Sequence, residues 1–146
     1  MFKRKARILF LDPGQGALAR VAAAWAAHVG TRWVEAGAGA LGERDDEMPD
    51  GEDVPGPGPE VVSWSGVDPR EWDLIVPLVV DRKVDWEGYL SGLRQKRWDL
   101  VAECGRGPSG EAPDPQACHE ALRHRAEGLV GGFRMKARED QSGMDT

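Results

Sequence analysis

Apolar residues along this chain fall in short blocks separated by Gly, Pro and acidic residues, and each block carries a period. Ala6-Arg7-Ile8-Leu9-Phe10-Leu11 is nearly all apolar and is stopped by Asp12-Pro13-Gly14, the pattern of a strand covered on both faces in a parallel sheet. From Ala17 to Val29 the spacing changes: Leu18, Val21, Ala22, Trp25 and Val29 recur as on one face of a helix, and Gly30 follows as a stop. Thr31 to Glu35 then predicts a second strand, which completes a strand-helix-strand unit with a right-handed crossover. Val61-Val62-Ser63-Trp64 is a short extended piece. Trp72 to Val80 is the strongest strand of the later chain, with Pro77 marking a place where pairing ends or bulges because proline cannot donate. Trp86 to Leu93 predicts a short helix, and Arg97 to Val101 a fourth strand. Asp114-Pro115 has the form of an N-cap with proline at the first helical position. It opens a helix to about Val130, with Ala117, Ala121, Leu122, Leu129 and Val130 as its buried stripe.

Between Ala36 and Glu60 the composition turns against regular structure. Seven acids lie between Glu43 and Asp53, and Pro55-Gly56-Pro57-Gly58-Pro59 follows, so a disordered acidic Gly/Pro loop is expected over about 41–60. A second Gly/Pro loop is expected from Gly105 to Pro113. The domain expectation is one α/β unit over 1–135 and a flexible tail over 136–146. Its class is a three-layer α/β/α sandwich built on a four-stranded parallel sheet.

Length and charge narrow the function classes. The chain has 146 residues, 40% of them apolar and 30% charged, an ordinary globular balance. The apolar stretches Val21–Val29 and Leu74–Val80 are too short to cross a bilayer, and Met1-Phe2-Lys3-Arg4-Lys5 has no signal-peptide core, so a cytoplasmic location and no membrane partner are expected. A net charge of −6 argues against nucleic acid as a partner. Cys104 and Cys118 have neither the number of a disulfide framework nor the spacing of a zinc site, and reduced thiols are the expectation. His119 and His124 stand five apart; on a helix they diverge by about 140° and make no metal pair. No metal and no cofactor are expected. The six tryptophans are spread along the chain, which fits packing rather than a base-stacking platform.

The candidate site is the turn from the first strand into the first helix: Asp12, Pro13, Gly14, Gln15, Gly16, Ala17, Leu18 and Ala19. Free N–H groups and the helix dipole make such a turn an anion cradle. Open α/β sheets also bind ligands at the carboxyl ends of their strands. Asp12 brings a negative charge to that same place and would repel a phosphate unless protonated, paired or turned away.

The run Ile8-Leu9-Phe10-Leu11-Asp12-Pro13-Gly14-Gln15-Gly16-Ala17-Leu18-Ala19-Arg20 resembles the opening of the low-molecular-weight phosphotyrosine phosphatases and their arsenate reductase relatives. There an apolar strand runs into Cys-Thr-Gly-Asn-Ser-X-Arg-Ser and a helix. On a gap-free match the nucleophilic cysteine falls on Asp12, the phosphate-clamping arginine on Leu18 and the loop glycine on Gly14. Ala38-Gly39 resembles that family's Ser-Ala-Gly after its second strand, and Trp72-Asp73-Leu74-Ile75-Val76 its Phe-Asp-Leu-Val-Ile. For the family's general acid two positions compete, Asp114 beside Pro115 and Asp99 beside Trp98.

The resemblance implies the family fold without its chemistry. That chemistry needs a low-pKa thiolate and a bidentate arginine, and this sequence has Asp12 and Leu18 instead. The function expected is a catalytically inactive relative that binds a small anion or a protein partner at the 12–19 loop. Asp12 and Asp114 are the only weak catalytic candidates. A phosphatase using Asp12 as the nucleophile would call for magnesium and an acid two residues on, where Gly14 stands. The alternative is a Rossmann-like nucleotide-binding domain: Gly14-Gln15-Gly16-Ala17-Leu18-Ala19 fits the Gly-X-Gly-X-X-Ala fingerprint, with Glu35 as the ribose-binding acid at the end of the second strand.

Overall fold

A computed structural model describes residues 5–14, 17–30, 32–42, 60–80, 84–105 and 114–144, with backbone alone at 17, 115 and 133–144. The acidic Gly/Pro loop, apart from Leu41, Gly42 and Glu60, and most of the second Gly/Pro loop lie outside the described residues.

The first strand, β1 (Ala6–Asp12), runs into α1 (Ala17–Val29), and the chain returns parallel to β1 as β2 (Val34–Ala40). After it come β3 (Val61–Ser63), two single 3₁₀ turns at Trp64–Gly66 and Pro69–Glu71, and β4 (Leu74–Val79). The remaining elements are α2 (Trp86–Leu90), β5 (Trp98–Asp99), α3 (Val101–Cys104) and α4 (Pro115–Met144). All strand pairs are parallel, in the order β3-β2-β1-β4-β5. The parallel α/β class is therefore as expected, with five strands rather than four. The extra one is the short extended piece at Val61, which pairs with β2 from Ala38 to Ala40.

Burial explains why β1 forms at the centre. Ile8, Leu9, Phe10 and Leu11 are all fully buried, and each such side chain contributes about 1.5–3 kcal/mol relative to exposure. Their alternation divides them between two cores. Ile8 and Phe10 join α1 and α4, with the Phe10 ring 5.1 Å from that of Trp98, while Leu9 and Leu11 join Ile75, Trp86 and Leu90.

Four expectations are corrected. The second strand is not Thr31–Glu35 but β2, so Ala36 to Ala40 is ordered strand and not the start of a loop. Alanine and glycine are poor strand formers alone, yet here small residues are required by close approach. The Trp72 ring lies where a Cβ on Gly37 would project, and a Cβ on Gly39 would stand 2.8 Å from Leu11 Cδ2. At the other edge β5 has only two residues, and Val101, read as strand, begins the single turn α3. The helix from Pro115 continues through Met144, and among its described side chains the buried ones are Cys118, Leu122, Ala126, Leu129 and Val130, with Ala117 exposed. Lastly, Cys104 and Cys118 form a disulfide, with Cα atoms 4.8 Å apart. Packing α3 against α4 brings together two cysteines that the sequence separates by a Gly/Pro loop.

The Pro77 reading holds. The β1–β4 ladder ends at the Leu11–Pro77 pair, and pairing with β5 begins at the next residue, Leu78. The tryptophans pack as expected: Trp86 and Trp98 are buried, and Trp25, Trp33, Trp64 and Trp72 lie partly buried against the two cores. Among the described residues no helix is long and apolar enough to cross a membrane.

Candidate functional site

The site is built where β1 ends. Asp12 is the last residue of that strand, and among the described residues it is the one buried charged side chain, 5% exposed. An isolated carboxylate in such a place would carry a desolvation cost of several kcal/mol. Its two oxygens meet that cost locally. The Gly14 N–H donates to Oδ1 at 2.8 Å, and the Leu18 N–H donates to Oδ2 at 2.9 Å. Leu18 is the second residue of α1, so its N–H is one of the helix's unpaired first donors, on the positive end of the dipole. Charged acceptors make such bonds roughly twice as strong as neutral ones.

The cradle thus holds an anion that belongs to the chain. Asp12 spans the turn from both sides, acting as a turn former toward Gly14 and as a helix cap toward Leu18. A phosphate arriving here would meet a carboxylate already using those two donors, and would add a second negative charge beside it.

The end of β2 closes the other side. The Leu41 N–H donates to the Asp12 carbonyl at 3.0 Å, and the Gly42 N–H donates to the Gly14 carbonyl at 2.8 Å. The approach leaves no room at Gly42, where a Cβ would stand 2.7 Å from the Gly14 oxygen. These two residues had no place in the sequence-based site. The available signal was Leu41-Gly42 directly after the Ala/Gly run, which reads as loop until the run is known to be a strand.

The other candidates are distributed as follows. Pro13 is half-buried and Gly14 exposed; Gln15 and Gly16 lie outside the described residues. Ala17 opens α1, Leu18 packs partly buried against the core, and Ala19 is fully buried. Asp114 is exposed and caps α4, accepting from the Gln116 N–H at 3.0 Å. Asp99, at the end of β5, likewise accepts from the Val101 N–H at 3.2 Å at the start of α3. Neither contacts the Asp12 carboxylate through any of these bonds.

Two readings of position are corrected. Ala38-Gly39 lies inside β2, not after it. Glu35 is the second residue of β2, exposed, with its carboxylate 3.6 Å from Arg7 Nε. A ribose-binding acid belongs at the carboxyl end of that strand, beside the glycine-rich turn. Glu35 stands at the opposite end, so the dinucleotide fingerprint loses its acid. Among the described residues no group of three or more His, Cys, Asp or Glu side chains could hold a metal ion.

No protein-family model matches the sequence, and no curated protein is detectably similar to it. Solved structures are similar in shape. An arsenate reductase in a phosphate-binding state superposes with a TM-score of 0.63 at 11% identity, over 88% of this chain and 98% of that one. An arsenate reductase in an oxidised state gives 0.56 at 13%, covering 87% and 98% of the two chains. The arsenate reductase of Archaeoglobus fulgidus DSM 4304 gives 0.51 at 16%, covering 85% and 98%. At such identities it is the course of the backbone that is shared, and this chain therefore has the parallel α/β fold of the solved arsenate reductases.

Proposed function

We propose that this protein is a catalytically silent relative of the arsenate reductases and low-molecular-weight phosphatases, working in the cytoplasm by binding rather than by turnover. One observation carries the reading: the Asp12 carboxylate, 5% exposed, takes the N–H groups of Gly14 and Leu18. On the gap-free match Asp12 stands at the position of the attacking thiolate and Leu18 at that of the clamping guanidinium. A carboxylate held by backbone donors is a poor nucleophile, and an aliphatic side chain stabilises no developing charge. The same two bonds favour a protein partner over a small anion at the 12–19 turn, because free oxyanions need the donors that Asp12 uses. Pro13 and Gly14, half-buried and exposed, form the part of the turn that such a partner would touch.

The test is turnover. Purified full-length chain is assayed with p-nitrophenyl phosphate, with and without magnesium, and with arsenate plus a thiol reductant. The expected result is no rate above the buffer blank. Turnover abolished by Asp12→Ala would overturn the silent reading and establish Asp12 as a nucleophile.

A further inference from the structure

Cys104 ends α3 and Cys118 is the fourth residue of α4; their residues are 6% and 3% exposed in the bonded form. They are the only cysteines in the sequence, so within the chain neither sulfur has another partner. The bond is closed, or it is open as two thiols, with no reshuffled alternative.

The bond sits at an edge of the sheet, joined by far fewer pairs than its centre. β5 meets β4 through two residue pairs, Leu78–Trp98 and Val79–Asp99, preceded by an isolated bridge between Ile75 and Gln95, and α3 is a single turn. By contrast, β1 is paired along seven residues with β2 and four with β4. Edges with few backbone bonds open locally at lower free energy than a sheet's centre. Two tethers of α4 converge on this edge: the disulfide, and the Arg125 guanidinium, whose Nη2 donates to the Asp99 carbonyl at 2.9 Å. Elsewhere α4 packs on α1 and the core through Leu122, Ala126, Leu129 and Val130, where the Val130 methyls come up to Gly30, and the Arg123 guanidinium lies 4.9 Å over the Trp25 ring of α1.

We propose that the Cys104–Cys118 bond is a thiol-responsive latch that sets how firmly α4 is held on the domain. Local opening of the β5–α3 edge exposes the sulfurs to a dithiol reductant. A thiolate of the reductant attacks one sulfur, the S–S bond breaks, and the other cysteine leaves as a thiolate that takes up a proton. The reductant's second thiol then displaces the first cysteine and closes its own disulfide, so two electrons and two protons pass to Cys104 and Cys118. Removing the cross-link restores the chain entropy of the open loop. The start of α4 then detaches more often from α3, while β1, α1, β2 and β4 keep their ladder and core. In a reducing cytoplasm, where structural disulfides are rare, a bond of this kind is redox-responsive.

Hydrogen exchange of the full chain, oxidised and then reduced with dithiothreitol, tests the latch, with free-thiol labelling to report the bond. Oxidised chain is expected to label at neither cysteine. On reduction, peptides covering 118–130 are expected to exchange on the order of a hundredfold faster, with β1 and β4 unchanged. Cys104→Ser with Cys118→Ser is expected to reproduce the reduced pattern without reductant; should that variant fail to fold, the reduced native chain carries the test alone. Three results would overturn the proposal: thiols that label freely in air-oxidised protein, reduction that leaves α4 exchange unchanged, and a bond that yields to dithiothreitol only when the whole sheet unfolds.

Discussion

Asp-Pro occurs three times in this chain, at 12–13, 68–69 and 114–115, and the three copies share one local structure but not one role. In each, the carboxylate accepts the N–H of the second residue on: Gly14 at 2.8 Å, Arg70 at 3.1 Å and Gln116 at 3.0 Å. Proline has no N–H, so the first donor after the aspartate lies two residues along, and the dipeptide alone dictates that bond. The second oxygen separates them. At Asp68 and Asp114 the side chain is exposed on a surface turn. At Asp12 the strand before it is buried on both faces, which carries the carboxylate inward to take the Leu18 N–H as well. Local sequence supplies a turn; the buried strand converts it into a filled anion cradle.

Breaking the inner copy should cost most. Asp12→Ala leaves the Gly14 and Leu18 donors without their acceptor and is expected to destabilise the fold by about 2–4 kcal/mol, read from urea unfolding. Gly42→Ala tests whether the end of β2 shares in holding the turn. A Cβ there would press on the Gly14 carbonyl, for an expected loss of about 1–3 kcal/mol in the same assay. Asp114→Ala removes one exposed cap from α4 and should cost about 1 kcal/mol or less. A loss at Asp114 equal to that at Asp12 would erase the distinction between the two sites.

The smallest effect belongs to Asp68. The Arg70 N–H holds its carboxyl below the ordinary value of 3.8, desolvation opposes this, and the Arg70 guanidinium adds to the lowering. A folded-state pKa below the unfolded one means that its stabilisation is present above about pH 4 and is lost as pH falls through the folded value. Carbon-detected NMR titration should therefore find its midpoint below 3.8 and moved upward in Arg70→Gly, because glycine keeps the backbone donor but removes the guanidinium.

How much was legible follows the same division between local and tertiary signals. The apolar block ending at Leu11, the helix stopped by Gly30, and the cap at Asp114 are decided within a few residues, and they stand where the sequence puts them. The Ala36 to Ala40 strand was hidden because nothing local favours it: it exists because Trp72, Leu11 and α1 approach a surface without side chains. The disulfide was hidden for a related reason, since pairing Cys104 with Cys118 depends on α3 lying against α4. At the site, sequence located the Asp12 turn and saw that its charge conflicts with phosphate. It did not reveal that the carboxylate takes the Gly14 and Leu18 N–H groups for itself, nor that Leu41 and Gly42 close the turn.

The amide resonances of Gly14 and Leu18 test the central claim most directly, followed in the native chain as phosphate, and separately arsenate, is raised into the millimolar range at constant ionic strength. If the Asp12 carboxylate fills the cradle, both amides stay where they are. A saturable shift of the pair would show that an external oxyanion takes those donors, and would contradict the account.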